Sequence, residues 1–262
     1  MKNNKKNKKH VPENLQQSRM KVLREDSPYA FREAYVRLRT NLMFGLAAVS
    51  NAKCKTIAVT SSNPGEGKTT TTVNVAISFA MLGKKTLVID ADMRRPQVGR
   101  LLDTSARDGF SNLLGGFGEC YVHNFDGLPL DFITAGKMPP NPSELLASPS
   151  FVASLERLKN DYDYIFVDTP PVNSVADAQI IAPHVDGVVV VVRAEATRMQ
   201  ELVRAEEALK KSGGKIIGVV ANDVESKGRS YGYKYGKYKK YKRYYGNAYD
   251  YESSNETDHV NE

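Results

Sequence analysis

A ten-residue segment, SSNPGEGKTT at 61–70, joins a short apolar run, TIAVTS at 56–61, to a stretch of helical composition at 69–82. Few local sequences restrict a fold more. Gly65 and Gly67 allow a backbone turn with no Cβ in the way, and the helix start that follows offers unpaired N–H groups and a partial positive charge. A strand, a glycine loop and a helix in that order form a cradle for phosphate groups. In such a cradle Pro64, Gly65, Glu66, Gly67, Lys68, Thr69 and Thr70 wrap the phosphates. The Lys68 ammonium reaches the β- and γ-phosphates, and the Thr69 hydroxyl ligates Mg²⁺. Ser62 stands where the first glycine of this pattern is usual. The spacing points to ATP or another nucleoside triphosphate with Mg²⁺.

Five further runs punctuate the chain: TLVID at 86–90, LDFIT at 130–134, YIFVD at 164–168, GVVVVVR at 187–193 and KIIGVVAN at 215–222. Continuous Val/Ile runs of strand length are buried on both faces, as in a parallel sheet covered by helices. Gly83 ends the helix after the glycine loop as a C-terminal cap would, and another helix is predicted at 199–211. Before the first strand, Phe31, Tyr35, Leu38, Leu42, Leu46 and Val49 recur at helical spacing and predict an amphipathic helix over 28–49. The fold class is therefore α/β, a three-layer P-loop NTPase fold with a mostly parallel central sheet. The 262 residues divide into a flexible basic arm at 1–27, one domain at 28–226, and a disordered tyrosine-rich tail at 227–262.

The net charge of +7 belongs to the ends. Five lysines and no acid lie within 1–10, and eight Lys/Arg and no acid within 227–245. Five acids and no Lys/Arg lie within 246–262, so the body at 11–226 carries −1. Two cysteines, Cys54 and Cys120, exclude a disulfide scaffold and suit a reducing compartment. No apolar run reaches the roughly 20 residues of a membrane span, and no signal core follows the N-terminal lysines, so a cytoplasmic location is expected.

Three aspartates end predicted strands. Asp90 and Asp92 follow TLVI, and Asp168 follows YIFV. Ligands of open α/β sheets sit at the carboxyl ends of the strands, so all three acids can converge on metal and phosphates. Asp is also a favoured helix N-cap, an alternative open for each of them singly.

Together, SSNPGEGKTT at 61–70, LVIDADMRRP at 87–96, IFVDTPP at 165–171, PPNPSELL at 139–146 and the tyrosine-rich tail resemble the bacterial tyrosine kinases of capsule and exopolysaccharide loci. The resemblance implies an ATP-dependent protein-tyrosine kinase that phosphorylates tyrosines of its own tail and regulates polysaccharide synthesis and export. It implies Asp90 as the base for the tyrosine hydroxyl, Asp92 and Asp168 as Mg²⁺-side acids, and Asn222 as a contact of the adenine base. On turn preference alone Asn222 is equally a residue closing a strand. It implies a separate transmembrane activator that recruits the chain to the inner face of the plasma membrane, protein tyrosine substrates in trans, and a homo-oligomeric ring, an octamer. The ring contact would fall on Glu33, Arg37 and Arg39. The family pattern Glu-x-x-Arg-x-x-Arg has Val36 at its middle position here, with Arg37 one place late, and Glu33 with Arg37 also fits an ordinary i,i+4 ion pair.

Nine of the 14 tyrosines are Tyr231, Tyr233, Tyr235, Tyr238, Tyr241, Tyr244, Tyr245, Tyr249 and Tyr251. The resemblance makes them autophosphorylation sites. Lys/Arg interleaved with aromatics also suits single-stranded nucleic acid or an anionic membrane. With the phosphate loop and acids present, a substrate tail is favoured and no nucleic acid is expected. The alternative is a partition or positioning ATPase that binds DNA or membrane through the basic tail. Such ATPases carry a second lysine early in the phosphate loop, where this chain has Asn63.

Overall fold

The computed structural model describes residues 22–104, 108–117, 120–125 and 127–224. Seven strands form one sheet: β1 (Lys55–Ser61), β2 (Thr86–Asp90), β3 (His123–Phe125), β4 (Leu130–Ile133), β5 (Tyr164–Asp168), β6 (Gly187–Arg193) and β7 (Ile216–Asn222). Their order is β3-β4-β2-β5-β1-β6-β7, and every pairing is parallel except the antiparallel β3–β4 edge. The described helices are α1 (Tyr29–Val49), α2 (Lys68–Ala80), α3 (Val98–Leu101), α4 (Phe110–Gly115), α5 (Pro142–Leu146), α6 (Pro149–Leu158), α7 (Asp177–Ile181) and α8 (Met199–Lys211).

The Val/Ile runs explain the three layers. Alternate side chains of one strand serve opposite faces. Ile57 and Val59 of β1 join Val88, Phe166, Val189 and Val191 in a core covered by α1 and α2. Ala58 joins Leu87, Ile89, Ile165, Val167, Val188 and Val190 in a second core covered by α4, α6, α7 and α8. Both faces of the central strands are dry, so β1 is buried along nearly its whole length.

Some elements differ from the sequence expectation. The polar β3 has no apolar pattern to announce it; it is held by the β4 ladder and by His123 stacked on Phe132 at 5.1 Å. The run at 215–222 suggests a strand buried on both faces, whereas β7 pairs only with β6 and leaves Val219 half exposed. Five helices, α3 to α7, are short and have no counterpart in the sequence expectation. The arm expected over 1–27 ends differently as well. Val22 and Leu23 are buried against α1 and α2, and the Leu23 N–H donates to Asn74 Oδ1 at 2.8 Å. Their apolar side chains are removed from water there, which fixes the end of the arm. The rest of the arm and the tail at 227–262 lie outside the described residues.

Asp186, just before β6, clamps three segments. Its carboxylate accepts from Ser50 Oγ at 2.6 Å and from both the N–H and the hydroxyl of Thr56 at 2.8 Å. Burial pushes its pKa up, but these hydrogen bonds outweigh that and hold it below the ordinary value. A lowered folded-state pKa stabilises above the unfolded value, about 3.9, and that stability is lost as pH falls through the folded-state value. Denaturant titration of Asp186→Ala at neutral pH should show about 1–3 kcal/mol less stability than wild type. The gap should narrow as pH drops below about 3.9.

Candidate active site

The carboxyl ends of β1, β2 and β5 lie side by side, with Asp90 and Asp168 directly paired in the sheet register. From β1 the chain enters the glycine loop. Gly65 (φ +83°) and Gly67 (φ +91°) adopt the left-handed region, and a Cβ on Gly67 would collide with Asn222 Nδ2. The first helical bond of α2 runs from the Thr71 N–H to the Gly67 carbonyl at 2.9 Å. The N–H groups of Lys68, Thr69 and Thr70 have no acceptor one turn back and are free to meet an anion.

Lys68 is the pivot of the site. Its ammonium lies 2.9 Å from Asp92 Oδ2 and 3.3 Å from Asp168 Oδ2, and 3.2 Å from Thr69 Oγ1. The Thr69 hydroxyl donates to Asp168 Oδ2 at 2.6 Å, and Thr72 donates to the other oxygen at 3.2 Å. Burial pulls the Lys68 pKa down, but the carboxylates of Asp168 and Asp92 more than restore it and hold the ammonium above its usual value. Burial also raises the Asp168 carboxyl, with Lys68 opposing. The glycine loop, Asp92, and the β5–α7 loop at Pro170, Pro171, Ser174 and Val175 line a cavity of about 760 Å³.

The paired aspartates divide their work in a way the sequence does not show. Asp90 is fully buried, and its carboxylate accepts the backbone N–H groups of Asp92, Gln97 and Val98 at 3.2, 3.1 and 3.0 Å. Burial, together with the nearby Asp168 charge, raises its pKa to about 8 against those bonds. It thus clamps the 91–98 loop and is not among the residues lining the cavity. Asp92 lines the cavity and accepts the Arg95 N–H at 2.9 Å. Asp90 is not itself a helix N-cap, since Gln97 holds that position before α3.

The buried Glu66 carboxylate staples the loop: it accepts the Asn63 N–H at 2.8 Å and the Thr197 hydroxyl at 2.6 Å. Asn63 folds back towards the same carboxylate, with Nδ2 at 3.4 Å. Asn222, at the end of β7, donates to the Glu66 carbonyl at 3.1 Å and so braces the back of the loop. Pro64 and Thr70 line the cavity. Ser62 is buried, with a hydroxyl that has no partner among the described residues.

Sequence reasoning missed four participants. Thr197 holds Glu66. Arg94 reaches Asp177 Oδ2 at 3.2 Å and Ser143 Oγ at 2.9 Å, while Ser143 donates to the other Asp177 oxygen at 2.5 Å. That triad ties the loop after β2 to α5 and α7, through Ser143 of the PPNPSELL stretch. Nothing local in the sequence pairs an arginine at 94 with an acid 83 residues away.

The surface residues separate too. Arg39 is half-buried and donates to the Ser78 carbonyl near the end of α2. Glu33 and Arg37 face each other on α1 at 4.0 Å, with Arg37 largely exposed. The nine tail tyrosines lie outside the described residues.

Residues 53–243 match the ParA family, described as NUBPL iron-transfer P-loop NTPase. The putative tyrosine-protein kinase CapB of Staphylococcus aureus is 39% identical over 78% of this chain and 90% of its own. The chain belongs to the bacterial tyrosine-protein kinases. Among solved structures, the chimerical protein CapA2B2 superposes with a TM-score of 0.71 and 34% identity, over 79% of this chain and 90% of that one. The kinase domain of the Escherichia coli tyrosine kinase ETK gives 0.69 and 33%, over 77% and 80%. These relatives favour the kinase reading over the positioning ATPase, whose likeness lies in the shared ParA-type P-loop NTPase fold. Among the described residues no helix is long and apolar enough to cross a membrane.

The staple on the phosphate loop can be tested. Thr197→Val removes one hydrogen bond to a buried carboxylate, worth about 1–3 kcal/mol. Fluorescent-nucleotide titration should show binding weakened by roughly five- to a hundredfold, although Thr197 lies behind the loop and does not line the cavity.

Proposed function

We propose that this chain transfers the γ-phosphate of ATP to protein tyrosines, its own tail included, and thereby regulates capsule or exopolysaccharide synthesis and export. The observation that carries the reading is the Lys68 ammonium held between Asp92 and Asp168 beneath a cavity rimmed by the glycine loop. The cavity is of the size that takes a nucleotide-sized ligand. The N–H groups at the start of α2 and the Lys68 ammonium bind and orient the phosphates, and the buried acids hold Lys68 extended into the site. Asp92, the acid with surface in the cavity, accepts the phenol proton of the attacking tyrosine. Asp90 positions Asp92 by fixing the 91–98 loop.

The donor set suits Mg²⁺. Thr69, Asp92 and Asp168 offer only hard oxygens, and Mg²⁺ takes few protein ligands beside water and phosphate. Among the described residues there is no group of three or more His, Cys, Asp or Glu that would cage a metal unaided. Held by Thr69, Asp92 and Asp168, Mg²⁺ would supply positive charge that offsets the negative charge developing on the phosphates.

The wider setting follows from the family resemblance: a cytoplasmic chain brought to the inner face of the plasma membrane by a transmembrane activator, working as a ring of identical subunits. Exposed Arg37 and half-buried Glu33 are available for a subunit contact, while Arg39 also donates to the Ser78 carbonyl within the chain.

The test is incubation with ATP and Mg²⁺, with an activator's cytoplasmic segment, followed by intact mass and phosphopeptide mapping. Wild type should gain phosphate on tyrosines within 231–251. Lys68→Met should gain none, since the buried acids are left without their cation. A chain truncated after Ser226 should hold nucleotide yet show no tail phosphate. ATP hydrolysis stimulated by DNA or lipid, without any phosphotyrosine, would overturn the reading.

A further inference from the structure

The cavity wall beyond the phosphates is strongly one-signed. Besides Lys68 it carries Arg94, Arg95 and Arg100, against the single acid Asp92. Asp92 is taken by Lys68, and Arg94 is taken by Asp177 and Ser143. Arg95 and Arg100 are different: both are exposed, and neither guanidinium has a partner among the described residues. They are also held in place. The Arg95 N–H is fixed by Asp92, and α3, which carries Arg100, is anchored at its start by Asp90 through the N–H groups of Gln97 and Val98. Next to them Leu101, Pro171 and Val175 give the cavity an apolar side of the kind a phenol ring can lie against.

We propose that Arg95 and Arg100 select the acceptor, favouring a tyrosine flanked by carboxylates over one flanked by lysines. The inference rests on the kinase reading above. Guanidinium groups pair with carboxylates in a planar, two-pronged geometry and repel ammonium groups. The tail offers both kinds of acceptor. Tyr231 to Tyr245 sit in a block with eight Lys/Arg and no acid at 227–245, whereas Tyr249 and Tyr251 flank Asp250, and Glu252 follows. Tyr249 and Tyr251 of a neighbouring copy are therefore the first acceptors. The lysine block follows once phosphate has been added beside it, because each phosphotyrosine brings about −1.5 to −2 of charge.

The experiment is a time course of tail phosphorylation in full-length protein with activator, ATP and Mg²⁺, read by quantitative phosphopeptide mapping at low conversion. Wild type should place its first phosphates on Tyr249 and Tyr251. In Arg95→Ala/Arg100→Ala the early ratio of Tyr249/Tyr251 to Tyr231–Tyr245 phosphate should fall about three- to tenfold. Asp250→Asn/Glu252→Gln should give the same fall, and combining all four substitutions should add little more. A ratio unchanged in either variant, or lysine-block tyrosines used first in wild type, overturns the inference while the kinase reading stands. Weakened nucleotide affinity in the arginine variant, with the ratio unchanged, would assign the arginines to ATP and overturn it equally. No phosphotyrosine anywhere in wild type would remove the kinase reading, and this inference with it.

Discussion

One buried cation organises the end of the sheet. The Lys68 ammonium sits within 3.3 Å of two carboxylates, one of them wholly buried at the tip of β5. An isolated charge there would be prohibitively costly, and a single acid without its partner would shift its pKa and lose its charge. Each group is therefore held by the others. Asp168 takes further bonds from Thr69 and Thr72, so the first turn of α2 is locked to β5. Because Asp168 is paired in register with Asp90, the acids of two strands and the lysine of a helix meet at one point.

Around that point the loops are braced from a distance. The phosphate loop is closed by Glu66 against Asn63 and Thr197, and from behind by Asn222. The 91–98 loop is closed by Asp90 and Asp92, and its arginine is carried to α5 and α7 by the Asp177–Ser143 pair. A site meant to bind a polyanion thus presents preset N–H groups and cations, and little of it must be ordered when the ligand arrives. The same bracing leaves the basic rim of Arg95 and Arg100 directed but unpaired.

Much of this was legible in the sequence, and the reason is local. The strand, glycine loop and helix around Gly65, Gly67 and Lys68 are fixed by backbone freedom and periodicity within 30 residues, as are the Val/Ile strands that end in Asp90 and Asp168. The short helices were not legible: α5 shows only PSELL, and α4 only FSNLLG, too few residues for a period. β3 has no apolar side to reveal it. Side-chain roles set by distant partners escaped as well. The Glu66 side chain gives no sign that its partner is Thr197, 131 residues on. Nor does the sequence show that Asp90 holds the backbone N–H groups of Gln97 and Val98, or that Arg39 donates to the Ser78 carbonyl.

The account stands on Asp168 as the acid that balances Lys68 and supports a divalent ion beside Thr69. The direct test is ATP affinity measured calorimetrically with Mg²⁺ and with chelator, in wild type and Asp168→Asn. Wild type should bind Mg²⁺-ATP about tenfold or more tighter than free ATP, since Thr69 and Asp168 would hold the ion. Asp168→Asn should lose most of that difference while still binding free ATP. An undiminished Mg²⁺ effect in the variant would contradict the role given to Asp168.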